Sequence, residues 1–384
     1  MDREPEELQF MGFFGICNEA HKIILSWRRI FTQITLSLIL PLSFVFLAHI
    51  QISDLIFTKI TINEEALETT QMGSPSQDKI LDRLSSEWTA FLLFKAAYLI
   101  CVLVFALLST SAVVYTIACI YTAKDLTYPK VISVVPKVWK RLMVTFLWNF
   151  IILLCYNTLA VTVIVLTLLL AGTGPAGALL LFFLAIAYGV GLVYISVVWH
   201  LASVVSVLED VYGIQAMQKS KVLIRGKVGM ACSIFLLINL ALMAVNLLFA
   251  RFVVHGSSLG VLPRITLGIL FVFALSLLIL VGLVMQTVIY FVCKSYHHEN
   301  VDKSCLADHL EVYLGEYEPL KDRSVQLEQL YLKALKHTNL RKGNRTKVKF
   351  RNVSCTEKIL PENSNKKIDL YVYVGDSDHL LEEI

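Results

Sequence analysis

From Leu142 to Leu208 the chain runs sixty-seven residues without a single Asp, Glu, Lys or Arg. A helix of about 20 apolar residues crosses the hydrocarbon of a bilayer, so this stretch holds two spans. The turn Gly172-Thr-Gly-Pro-Ala-Gly177 separates them, because its glycines and proline interrupt helix. The rest of the chain agrees. Of 384 residues 56% are hydrophobic and only 17% charged, whereas soluble domains are about a quarter charged. An ordinary soluble enzyme and a disordered chain are both excluded for most of the length.

Six spans are predicted: Phe31 to Ile50, Ala96 to Ile120, Thr145 to Ala171, Ala178 to Val207, Val228 to Ala250 and Ile265 to Val292. Pro41 lies inside the first, where neighbouring helices can accommodate a kink. The first 29 residues contain four basic and five acidic side chains and no short apolar core, so the first span is expected to act as an uncleaved signal anchor. The expected fold is all-α and polytopic, with six transmembrane helices and amphipathic cytoplasmic interfacial helices. The expected division is an amphipathic segment over 1–30, a membrane domain over 31–293 and a cytoplasmic tail over 294–384.

Basic residues gather on the cytoplasmic side of membrane proteins. Counting the amino end and the loops after the second and fourth spans gives thirteen Lys and Arg; the opposite loops give six. The long loop from Gln51 to Thr89 also carries seven acids. Both termini are therefore expected in the cytoplasm. Cys17, Cys293, Cys305 and Cys355 would face that reducing compartment, and the other four cysteines lie in or beside spans, so no disulfides are expected. Cys293, where the sixth span meets the cytosol, is a candidate for palmitoylation, although an ordinary small apolar residue is the favoured reading there.

Each of the first, third and fifth spans follows a segment mixing aliphatic and basic residues: Gly15 to Arg29, Pro129 to Arg141 and Gly213 to Lys227. Such segments suit helices in the headgroup plane, apolar residues down and basic residues on anionic lipid. The chain thus reads as three units of surface helix plus hairpin.

The most motif-like stretch is Glu209-Asp-Val-Tyr-Gly213-Ile-Gln-Ala216-Met-Gln-Lys-Ser220-Lys-Val-Leu223-Ile-Arg-Gly226-Lys. Its acid, Gly, Ala, Ser, Leu and Gly (Glu209, Gly213, Ala216, Ser220, Leu223 and Gly226) resemble the membrane-domain superfamily named for bacterial glycerophosphodiester phosphodiesterases. Glu7-Leu-Gln-Phe-Met-Gly-Phe-Phe-Gly15, Lys294 to Lys303 and Asp308 to Tyr317 are similar to a plant family of uncharacterised six-span membrane proteins. The resemblance covers roughly residues 5 to 329 and implies a stand-alone membrane domain. Some plant members are labelled as binders of polyadenylate-binding protein. No peptide here resembles the usual docking motif, so that label does not carry over. Neither does the phosphodiesterase name, which belongs to a separate soluble domain with acidic metal ligands. Beyond that region lies a tail with eight Lys or Arg and no acid between Lys333 and Arg351, and two glycosylation sequons, at Asn344 and Asn352. In this topology the sequons face the cytosol and stay bare.

Polar groups inside spans are the first place to look for function. They are Asn149 and Asn157 in the third span, His200 in the fourth, Asn239 and Asn246 in the fifth and Gln286 in the sixth. Bonds between helices worth about 0.6 kcal/mol each are one reading; a polar solute path with His200 titrating is the other. The sequence has no pair of intramembrane acids, no His-x-x-x-His spacing and no phosphate-cradling glycine loop. Gly189-Val-Gly191 suits close helix packing instead. No catalytic residue, metal or cofactor is expected. His297-His298 beside Glu299 reads as a wet helix end. Lys219, Lys221, Arg225 and Lys227 are the candidate contacts for anionic lipid or a protein partner, at about 1 kcal/mol for each charge on headgroups; nucleic acid is not expected. The expected role is non-enzymatic membrane organisation, trafficking or scaffolding, and the alternative is a transporter or channel for a small polar solute.

Overall fold

Backbone amides in lipid can be satisfied only within a helix or a closed barrel, and this chain takes the helical solution. The computed structural model describes residues 10–69, 75–122, 126–172, 174–256 and 260–297. The chain divides into two units, Met1–Glu318 and Pro319–Ile384, and all described residues belong to the first. Residues 7–9 of the amino-terminal motif, Lys124, His298, Glu299, the motif at Asp308 to Tyr317, Cys305, Cys355, the basic run after Lys333 and both sequons lie outside the described residues.

The described elements are all helical: α1 (Phe13–Ser26), α2 (Arg28–Ile34), a π-helical turn (Thr35–Ile39), α3 (Leu40–Thr69), α4 (Pro75–Tyr121), α5 (Tyr128–Ala171), α6 (Pro175–Leu208), α7 (Ile214–Leu223), α8 (Val228–Phe249), a second π-turn (Ala250–Val254) and α9 (Val261–Tyr296). Six helical stretches are long and apolar enough to cross a membrane. The protein is an all-α, polytopic integral membrane protein. Large apolar side chains such as Leu169, Leu170, Phe182 and Leu247 stand exposed on the spans, as expected where lipid is the solvent.

Three boundaries differ from the sequence expectation. The stretch from Gln51 to Thr89 is mostly helix, not loop: α3 continues to Thr69, and α4 begins at Pro75 with Asp78 in its first turn. The apolar run ends near Ile50, but nothing there stops a helix, and the breakers Gly73 and Pro75 come later. At 1.5 Å per residue, the 47 residues of α4 measure about 70 Å, against a hydrocarbon thickness of ~30 Å. Beyond the apolar run the two helices are pinned by Asn63 Nδ2 donating to Glu87 at 2.7 Å and by Phe57 against Phe91. Second, the segment from Pro129 to Arg141 is the first part of α5, which runs unbroken into the third span. Pro129 suits a helix start, Pro136 is tolerated within, and Val131, Val134, Val135, Val138 and Leu142 form a buried stripe. Third, α1 and α7 are separate short helices, but their apolar faces turn into the bundle. Ile16, Ala20 and Ile23 of α1 are at most 1% exposed, and α1 packs on α8 and α9. Their spacing of three and four residues places them on one face.

The principal core lies at this end, where α1, α7 and the adjoining ends of α4, α5, α6, α8 and α9 meet. The fully buried run from Leu201 to Leu208 and the run from Gln286 to Cys293 are its centre. A smaller cluster around Leu47, Phe249 and Leu275 holds the bundle nearer the other end.

Candidate functional site

The motif of Glu209 to Gly226 folds into a latch that ties α7 across α5, α6 and α9. Helix α6 ends at Leu208, and Glu209 caps it in an extended conformation. Its carboxylate is 13% exposed and gathers three donors. Tyr290 Oη donates to Oε1 at 2.6 Å, Lys294 Nζ donates to the same oxygen at 3.1 Å, and Lys219 Nζ lies 2.5 Å from Oε2. Burial alone would raise the Glu209 pKa. The hydrogen bonds from Lys219 and Tyr290 and the field of Lys294 outweigh it, so the group is held below its ordinary value and stays ionised. Tyr290 and Lys294 sit one turn apart on α9, and Lys219 sits on α7, so one carboxylate joins three helices. Next to it, Arg141 Nη1 on α5 donates to Asp210 at 2.9 Å.

The other motif residues each have a steric or bonding reason. Gly213 has φ +64°, a region costly to other residues, and a Cβ there would stand 3.1 Å from the Trp148 ring. Its N–H donates to Thr145 Oγ1 at 2.8 Å, and that hydroxyl lies 2.7 Å from Ser206 Oγ. Ala216 and Leu223 are buried. Ser220 Oγ donates to the carbonyl of Val198 at 2.8 Å. Gly226 has φ +85°, and a Cβ there would fall 2.6 Å from the Tyr296 ring. Those glycines and Ser220 therefore let α7 lie flat on its neighbours.

The four basic candidates do not act alike. Lys219 is bound into the latch, and Lys227 lies 5.3 Å over the Tyr296 ring. Lys221 and Arg225 are exposed. A single basic face is thereby reduced to two outward charges. Cys293 is fully buried at 0% exposure, in keeping with the small apolar reading and against acylation: the sixth helix continues to Tyr296, so this residue lies in the core and not at a wet boundary. The six described cysteines are all free thiols.

The intramembrane polar residues also divide. His200 Nδ1 on α6 lies 2.9 Å from Gln286 Oε1 on α9, and the imidazole stacks on Phe235 at 4.7 Å. Tyr188 Oη donates to Asn157 Oδ1 at 2.7 Å, joining α6 to α5. Asn239 and Asn246 instead bond carbonyls of their own helix. Asn149 and Gln286 are buried, and Asn149 Oδ1 and Gln286 Nε2 have no hydrogen-bond partner among the described residues. Gly191 sits under Tyr156, where a Cβ would fall 2.2 Å from the hydroxyl. Gly189 meets nothing within 4 Å, so close packing accounts for one of that pair. Among the described residues no three His, Cys, Asp or Glu side chains come together as a metal site would need.

The polar partners that reasoning from sequence missed are Tyr290, Lys294 and Thr145. Only Lys294 carried a signal, as a charge at a helix end; its partner lies 85 residues away. No curated protein and no solved structure matches the chain. A family described as a domain of unknown function matches residues 1–330, and the protein is a member of that family, DUF8558.

Proposed function

We propose that this integral membrane protein is non-enzymatic and acts in membrane organisation, trafficking or scaffolding, in the endomembrane system or plasma membrane, with its basic end and both termini in the cytoplasm. The observation that supports this reading is the latch. The charged contacts of Glu209 with Tyr290, Lys294 and Lys219 fix the shape of one end. That end presents Lys221 and Arg225 outward, suited to anionic headgroups or an acidic protein partner. The alternative of a solute path has less support, since His200 is bonded to Gln286 and stacked on Phe235, and Asn157 is bonded to Tyr188.

The test is co-purification of the full-length, tagged protein in mild detergent, compared with K221E/R225E. A recurring set of proteins or anionic lipids should accompany the natural chain and fall in the variant, with both proteins equally monodisperse. Identical co-purification would remove the basic end from the account, and uptake of a polar solute into proteoliposomes would favour the alternative.

A further inference from the structure

At the end of the bundle away from the latch, α3, the second π-turn and α9 enclose an apolar groove of about 560 Å³. It lies wholly on membrane-crossing helices. Along α9 it runs inward from Arg264 to Phe273, nine residues or ~14 Å. That is close to one leaflet of a hydrocarbon core ~30 Å thick. Its walls include Phe44, Ile269 and Phe273, each at least half exposed, so the groove opens to the bilayer. Its polar groups are confined to one end, where Gln51 and Arg264 stand.

Arg264 is a cation held in place. Its Nε and Nη2 donate to the carbonyl of Val253 at 3.0 and 2.6 Å, and Nη2 also reaches Val254 at 3.4 Å. Among the described residues, these bonds leave the N–H groups of Nη1 for another acceptor. Asp54, one turn beyond Gln51, is 3.6 Å from His255. The second π-turn borders the groove through Val253. Such turns widen a helix and recur at functional sites.

We propose that this groove holds one acyl chain of a bilayer phospholipid, with the lipid phosphate at Arg264. The match of groove length to one leaflet, the opening toward lipid and the cation at the headgroup end together select this occupant. Gly268 lines the groove, and a Cβ there would only touch Val253 at 4.0 Å, so this position admits a side chain where glycine leaves space. The inference is independent of the role proposed for the basic end.

The test uses the full-length protein in nanodiscs containing phosphatidylglycerol with a mid-chain diazirine, or the matching diacylglycerol, which lacks the phosphate. Labelled residues are mapped by peptide mass spectrometry. Labelling should concentrate on Phe44, Ile269 and Phe273, fall to background in Gly268→Phe, and favour the phospholipid by about fivefold, the preference one arginine gives an anionic headgroup. Arg264→Lys should keep most of that preference and Arg264→Gln should lose it; Gly268→Phe leaves the arginine and its bonds intact should Arg264→Gln not fold. Equal labelling of other lipid-facing residues such as Phe182, equal labelling by diacylglycerol, or crosslinks through the groove to a second copy would overturn the proposal.

Discussion

Replacing Glu209 by Gln keeps the shape of the latch and removes its charge. In the natural protein the carboxylate is 13% exposed, Lys294 18% and Lys219 35%. A hydrogen bond to a charged group contributes about 1.5–3 kcal/mol. Removing one member of a buried pair costs ~3–5 kcal/mol, because the other charge is stranded. Lys219 is exposed enough that its share falls below ~1 kcal/mol. Lys294 and Tyr290 therefore dominate, and the expected loss for Glu209→Gln is ~2–4 kcal/mol. Cys293 reports this directly: it is fully buried beside Lys294, so a membrane-permeant maleimide reaches it only when the latch end opens. At tenfold for each ~1.4 kcal/mol, its labelling rate should rise by about 30- to 700-fold in the variant. Cys155, already exposed, should label at an unchanged rate. Adding Lys294→Met should recover part of the loss by removing the stranded ammonium. The effect also has a pH sign. A depressed carboxylate pKa contributes stability that is complete above the ordinary Glu value and is lost as pH falls through the depressed folded value. The gap between natural protein and variant should therefore close in acid. A Cys293 rate within threefold of the natural one, or a gap that widens in acid, would refute the reasoning.

Gly213→Ala should destabilise the protein by ~1–3 kcal/mol from backbone strain, and Gly226→Ala by more, because a Cβ there meets the Tyr296 ring; unfolding in detergent checks both, and a Gly226→Ala variant as stable as the parent would contradict the geometry. Ser220→Ala should cost ~1 kcal/mol, the bond to Val198. Gln286→Leu leaves His200 without its acceptor, and the double variant with His200→Phe should lose less than the two single variants together, as a double-mutant cycle in lipid would measure. Acyl-biotin exchange with mass spectrometry should find Cys293 unmodified in the folded protein.

The spans were legible because apolar runs of bilayer length have one physical use. The break between α5 and α6 was legible for the same reason, although α6 begins at Pro175, inside the stretch expected as turn. Helix ends in water were not. They depend on caps and breakers and not on hydropathy, so α3 and α4 continued past Ile50 and Ala96, and Pro129 to Arg141 joined α5. At the latch, the motif residues were recognisable by type, yet their roles depend on partners far along the chain. Gly213 needs Thr145 and Trp148, and Glu209 needs Tyr290 and Lys294. The facing of α1 and α7 was ambiguous for a different reason. An amphipathic helix beside a membrane can turn its apolar side to lipid or to protein, and the same pattern serves both.

That the carboxylate and its more buried cation are 85 residues apart has a consequence for biogenesis. At roughly 5–20 residues per second of synthesis, the anion leaves the ribosome about 4–17 s before the lysine on the last span. For that interval the carboxylate has Lys219 as its cation, and the final helix then adds Tyr290 and Lys294 to complete its donors. The latch therefore closes last: a chain cut short before Tyr290 and Lys294 keeps α6 and α7 joined through Lys219 and lacks the bonds that tie them to α9.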